Sequence, residues 1–211
     1  MSEFYSKISE LVISGGISEI PHVTKQALES GLSAQNILHQ GLLAGMDVVG
    51  QRFKACEMFI PEVLRSAKCM NAAMTILKPH LSEADTKGAG TIVIGTVEGD
   101  LHDIGKNLVG MMLEGAGFKV IDLGIEVKPQ KFAEAVKEHE ANLLGMSALL
   151  TTTMPKMGET IQALKDMGLR HSVKVMIGGA PVTQDFADKI GADAYGPNAT
   201  VAVEKARALA K

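Results

Sequence analysis

Apolar residues recur every three to four positions through the first 81 residues and fall into short blocks after residue 90. That change of period separates a helical half from one in which strands and helices alternate. Leu11, Val12 and Ile13 close a first short helix, which Gly15 and Gly16 end. A second is expected from about Ser18 to Glu29, stopping at Gly31. Ser33 is placed to N-cap a third, with the stripe Ile37, Leu38, Leu42, Met46, Val49 and Phe53. Gly41 and Gly45 interrupt that stretch. Each costs about 1 kcal/mol relative to Ala in a helix, so a neighbouring backbone is expected close by. A fourth helix begins around Pro61, with Ile60, Val63, Ala67, Met70, Met74, Leu77 and Leu81 on one face, as in a bundle. Residues 82–90 are polar and small, a linker composition.

Beyond the linker, Thr91–Val97, Lys119–Leu123, Asn142–Ser147, Val173–Ile177 and Ala192–Tyr195 read as strands. Helices are expected at Ile104–Glu114, Pro129–His139, Met154–Asp166, Thr183–Ile190 and from Ala199 onward. Five βα units in succession imply an α/β domain, a parallel sheet with helices on both faces and right-handed crossovers. One switch point then gives the flavodoxin-like (Rossmann-like) order 2-1-3-4-5. The division is a helical-bundle cap at 1–84, a linker at 85–90 and a five-stranded domain at 91–211.

Composition narrows the possible partners. Apolar residues make up 46% of the 211, enough for a real core and too many for a disordered chain. With 24 acidic against 21 basic residues the net charge is −3, which disfavours nucleic acid. Six Phe, two Tyr and no Trp leave little for base stacking. The two Cys, thirteen apart, form no metal pattern and suit a reducing compartment. No apolar run is long enough to span a membrane, and no secretory signal is visible, so a cytoplasmic location is expected.

In an open parallel sheet, ligands bind at the carboxyl ends of the strands near the switch point. After the first strand comes Glu98-Gly99-Asp100-Leu101-His102-Asp103-Ile104-Gly105, a His between two Asp residues. It reads either as a polar turn or as a ligand His. A ligand His usually donates its other ring N–H to a carboxylate, and Asp100 or Asp103 can accept it. Gly99 and Gly105 permit close approach of a ligand. The loop is acidic and lacks a phosphate-binding glycine pattern. After the third strand come Ser147, Leu149 and Thr151–Thr153, whose hydroxyls suit either N-capping or ligand binding. Gly178-Gly179-Ala180 after the fourth strand is a tight turn or a surface for close approach. Tyr195-Gly196-Pro197 follows the fifth.

In order and spacing, Asp100-x-His102-x-x-Gly105, Ser147-x-Leu149 and Gly178-Gly179 resemble the cobalamin-binding domains of corrinoid-dependent methyltransferases. Gly105-Lys106-Asn107 and Val120–Gly124 extend the likeness. Gly50-x-x-Phe53 followed by Met58-Phe59-Ile60-Pro61-Glu62 is similar to the helical cap of methionine synthase and to the small corrinoid proteins of methylamine, methanol and methoxyl metabolism. The resemblance spans nearly the whole chain.

It implies cobalamin or a related corrinoid, in methylcobalamin and Co(I)/Co(II) forms, bound base-off with His102 as lower axial ligand of cobalt. Asp100 matches the carboxylate that holds the ligand His, and Thr153 stands where methionine synthase has the Ser of a His–Asp–Ser relay. Asp103, Ile104 and Gly105 complete the ligand loop. The nucleotide tail would lie against Ser147, Leu149, Thr151, Gly178, Gly179 and Ala180. Tyr195 would pack near the tail, where Asn198 departs from the Asp common in relatives. Phe53, Ile60 and Val63 match cap positions over the methyl-bearing face. Met46, Met58, Met70 and Met74 are better explained as bundle core than as cofactor contacts.

The function implied is a methyl carrier, non-catalytic alone. It would take methyl groups from a substrate-specific methyltransferase to an acceptor methyltransferase using tetrahydrofolate or a thiol, with a reductive activating protein as a further partner. Residues 82–90 would be a hinge for the cap. The alternatives are a small subunit of an adenosylcobalamin mutase, a cobalamin-sensing module and a flavodoxin-like protein without corrinoid.

Overall fold

The structure, a computed structural model, describes residues 2–81 and 89–210. The chain divides into two compact units, one of residues 1–88 and 114–117, the other of residues 89–113 and 118–211. The linker expected at 85–90 lies mostly outside the described residues.

The first unit is helical. Helix α1 is Ser2–Ser14 and α2 is Ile20–Glu29. Gly15 ends α1 in the left-handed region, as the sequence requires. The α2 start falls two residues later than expected, with Pro21 in its first turn. Helix α3 runs without a break over 34–54 and α4 is Ile60–Leu77. The Ser33 hydroxyl caps α3 by accepting from the Asn36 N–H at 3.2 Å. The Glu62 carboxylate caps α4 by accepting from the Phe59 N–H at 2.8 Å. The middle of α3, Ile37–Leu43, is a π-helix, a wider winding than the sequence pattern indicates. The two glycines explain the approach of α1. A Cβ at Gly41 would come within 2.8 Å of Ile8 Cγ2, and one at Gly45 within 3.0 Å of the Ser9 carbonyl oxygen. Val63, Ala67, Met70 and Leu77 of α4 face the interior as expected, whereas Ile60 is exposed. Burial pushes the Cys69 thiol up to about 11, so it stays protonated at neutral pH, while Cys56 is exposed.

The second unit is a five-stranded parallel sheet in the order β2-β1-β3-β4-β5, as expected. The strands are β1 Thr91–Thr96, β2 Lys119–Asp122, β3 Leu143–Ser147, β4 Lys174–Gly178 and β5 Ala194–Gly196. The helices between and after them are α5 Ile104–Gly115, α6 Pro129–Glu138, α7 Pro155–Asp166, α8 Gln184–Ile190 and α9 Ala199–Leu209. Strand residues point alternately to opposite faces. Val93, Leu144, Met146, Val175 and Ile177 share one core with Phe132 of α6 and Met157 and Ile161 of α7. No helix among the described residues is long and apolar enough to cross a membrane.

Candidate functional site

Register sets the site. Thr96 of β1 pairs with Ser147 of β3, which pairs with Gly178 of β4, so the three strands reach the carboxyl edge together. The loops beyond β1 and β3 are stitched by one residue, Asp100, whose side chain is 0% exposed. Its Oδ1 accepts from the His102 N–H at 3.1 Å and the His102 ring Nδ1 at 2.7 Å. Its Oδ2 accepts from the Leu149 N–H at 2.7 Å, the Leu150 N–H at 3.2 Å and the Thr153 hydroxyl at 2.8 Å. Its carbonyl accepts from the Glu126 N–H at 3.2 Å, which ties in the loop after β2. Burial alone would raise this carboxyl. The hydrogen bonds from Leu149, from the His102 ring and N–H and from Thr153 outweigh it, and hold the group well below the usual carboxylate range.

An ionised carboxylate only accepts, so His102 carries a proton on Nδ1, and in the neutral ring the lone pair is then on Nε2. The His102 side chain is 52% exposed, and Nε2 has no partner among the described residues. Of the two Asp residues flanking His102, Asp100 is the partner. Asp103 accepts instead from the Asn107 amide at 2.9 Å, within the first turn of α5.

Large apolar side chains stand exposed at the same edge of the sheet. Leu101 is 64% and Ile104 80% exposed, and Ile125, Leu149 and Leu150 are also exposed. They come from the loops after β1, β2 and β3, adjacent strands of the sheet. Exposed apolar residues grouped at one edge mark a ligand or partner surface. Of these, Leu101, Ile125 and Leu150 escaped the sequence reading. The signal was available: Leu101 stands between Asp100 and His102, where no strand or helix core can use it. The loop carrying Ile125 is firmly held. Lys106 pairs with the Asp122 carboxylate, which also accepts from the Gly124 N–H at 2.8 Å.

The remaining candidates separate into two groups. Ser147 is half-buried and Thr151 exposed at the same edge, and Gly105 has open space where a side chain would stand. Thr153 does not cap α7, as the capping alternative would have it; its hydroxyl turns back to Asp100. The glycine pair is occupied by the protein itself. A Cβ at Gly178 would lie 2.9 Å from the Gly196 carbonyl oxygen. One at Gly179, where φ is +125°, would collide with the Ala148 carbonyl. Ala180 beside them is exposed, and Tyr195 packs half-buried against the sheet core. Asn198 caps α9 by accepting from the Val201 N–H at 2.9 Å. In the helical unit, Phe53 is half-buried, Ile60 exposed and Val63 fully buried, while Phe59, not singled out from the sequence, is 65% exposed.

A difference in stability between two glycine variants follows. Gly179→Ala combines overpacking with backbone strain, each on the order of 1–3 kcal/mol. Gly105→Ala meets no neighbour and is expected to stay within about 0.5 kcal/mol of the parent. Urea unfolding of the two full-length variants measures this directly.

A half-exposed histidine held by a buried carboxylate, with exposed apolar side chains in the neighbouring loops, stands at the carboxyl edge of a parallel sheet, where this class of fold binds its ligands. Models of the B12 binding domain match residues 90–204 and 5–78. The chain is 47% identical over 189 residues to trimethylamine corrinoid protein 1 of Methanosarcina acetivorans, covering 89% of this chain and 88% of that one. It is 44% identical over 211 residues to dimethylamine corrinoid protein 1 of Methanosarcina mazei, covering 98% and 96%. A chain of the methanol:cobalamin methyltransferase complex of Methanosarcina barkeri superimposes with a TM-score of 0.91 at 31% identity, over 99% of this chain and 80% of that one. The chain belongs to the B12-binding corrinoid proteins, and its cofactor is cobalamin or a related corrinoid.

Proposed function

We propose that this chain carries methyl groups from a methylamine-specific methyltransferase to a second methyltransferase, which passes them to a thiol or to tetrahydrofolate. The observation that carries the reading is His102, whose Nε2 alone among its polar groups is left for a ligand. When bound, the corrinoid supplies a cobalt that accepts a methyl group and gives it up. The chain's residues do the rest. His102 offers Nε2 to the cobalt in place of the cofactor's own base. Asp100 keeps the proton on Nδ1 and orients the ring, and Thr153 donates to Asp100 from behind. Leu101, Ile104, Ile125, Leu149 and Leu150 would keep water from a corrinoid bound at this edge. Ser147, Thr151 and Ala180 flank the tail, with Gly178 and Gly179 shaping the turn beside it. In the helical unit, Phe53, Phe59 and Ile60 would be the apolar residues available to a methylated cofactor, and Val63 lies in that unit's interior. A reductive activating protein would be a further partner.

The relatives support the methylamine donor by name, being a trimethylamine and a dimethylamine corrinoid protein. A methyl-transfer assay tests it. The full chain loaded with cobalamin and reduced is mixed with a trimethylamine, dimethylamine or methanol methyltransferase and its substrate, and methylation is followed by absorbance. Methylation with a methylamine partner is expected. Methylation by the methanol enzyme alone, or by none, would overturn the donor assignment.

A further inference from the structure

Three of the polar groups of His102 are hydrogen-bonded, and two of those bonds go to Asp100. The third goes elsewhere. The His102 carbonyl accepts from the Thr96 hydroxyl at 2.9 Å. Thr96 is the last residue of β1 and is fully buried. Its backbone is already committed: its N–H donates to the Gly124 carbonyl and its own carbonyl accepts from the Val127 N–H, both at 2.9 Å. The hydroxyl therefore adds nothing to the sheet and serves only the loop. Between Thr96 and His102 the chain passes Gly99, which sits at φ +81°. Asp100 grips the His102 ring and N–H, but Asp100 belongs to the same loop. Thr96 is the anchor for His102 that lies in the strand itself.

We propose that Thr96 is a positioning residue for the axial histidine. Its buried hydroxyl fixes how far His102 stands out from the sheet edge, and so how strongly Nε2 can hold a cobalt above it. The proposal rests on His102 being the ligand. A ligand held by packing and outer hydrogen bonds within a narrow range binds more strongly than one on a loose loop. A nitrogen that ligates Co(II) but not Co(I) favours the oxidised state. Loosening it moves the Co(II)/Co(I) potential upward.

The test uses the full chain loaded with cobalamin and compares Thr96→Val, which keeps the branched shape without the donor, with Thr96→Ser, which keeps the hydroxyl. Two quantities are read: the fraction of Co(II) showing axial-nitrogen splitting in electron paramagnetic resonance, and the Co(II)/Co(I) midpoint potential. Thr96→Val is expected to lower the ratio of ligated to unligated cobalt roughly threefold to tenfold, the worth of one neutral hydrogen bond, and to raise the potential. Thr96→Ser is expected to stay with the parent in both. Thr96→Ala carries the same expectation as Thr96→Val and replaces it if the valine variant does not fold. A merely structural threonine would change the unfolding temperature and leave both readings unmoved, and that result overturns the proposal. A parent protein without histidine-nitrogen splitting overturns the ligand assignment and the proposal together. Splitting in the parent with no change in the hydroxyl-free variant overturns the proposal alone.

Discussion

Replacing His102 with alanine is expected to leave a folded protein that no longer ligates cobalt through the protein. The His102 side chain is half exposed, and Asp100 keeps its bonds from the Leu149 and Leu150 N–H groups and from Thr153. Stability should therefore change by no more than about 1 kcal/mol, as at other surface-edge positions. Affinity for the corrinoid should fall by more than the roughly 10–100-fold that loss of an outer partner costs a metal site. Absorbance titration measures the affinity, and the position of the cobalt bands reports whether an axial nitrogen remains.

Asp100→Asn is expected to disable the same ligand by another route and to weaken the fold as well. An amide at this position has one accepting end and one donating end. If the donating end faces the Leu149 and Leu150 N–H groups, donors meet donors in a buried place, at a cost of about 2–4 kcal/mol. If it faces His102, it donates to Nδ1, moves the ring proton to Nε2 and closes the ligating nitrogen. Either orientation defeats the site. The pH response separates the two proteins. A carboxyl held below its ordinary value contributes its full stability above the unfolded value, about pH 4. That contribution is lost as pH falls further, through the folded value. The parent should lose unfolding free energy between about pH 5 and pH 3 more steeply than Asp100→Asn, which has no proton to bind there.

The strand order and the pairing of His102 with a flanking Asp were legible because each rests on local pattern. Five apolar blocks spaced by helices fix a parallel sheet, and a single switch point fixes its order. Other features depend on contacts that sequence does not show. The buried positions Ile37, Leu38, Gly41 and Leu42 fit an α-helix as well as the π-helix that forms, so periodicity could not reveal the wider turn. Thr153 stands at a helix start, where a hydroxyl reads as a cap, and only the fold brings it to a carboxylate 53 residues away. Thr96 reads as an ordinary strand residue, since its role lies in where its hydroxyl points. The glycines at 178 and 179 suggested room for a ligand, yet neighbouring carbonyls fill the space beside them. In the cap, Ile60 and Val63 share one helical stripe, but the first lies at the helix start and is exposed while the second is buried.

The central claim is that the axial nitrogen comes from the protein, at His102. Labelling the chain with 15N-histidine and loading it with unlabelled cobalamin isolates that nitrogen. In the electron paramagnetic resonance spectrum of the Co(II) form, each cobalt line is split into a triplet by a 14N ligand and into a doublet by 15N. A doublet in the labelled protein, absent from labelled His102→Ala, is the predicted result. A triplet that survives labelling would place the cofactor's own base on the cobalt and contradict the account.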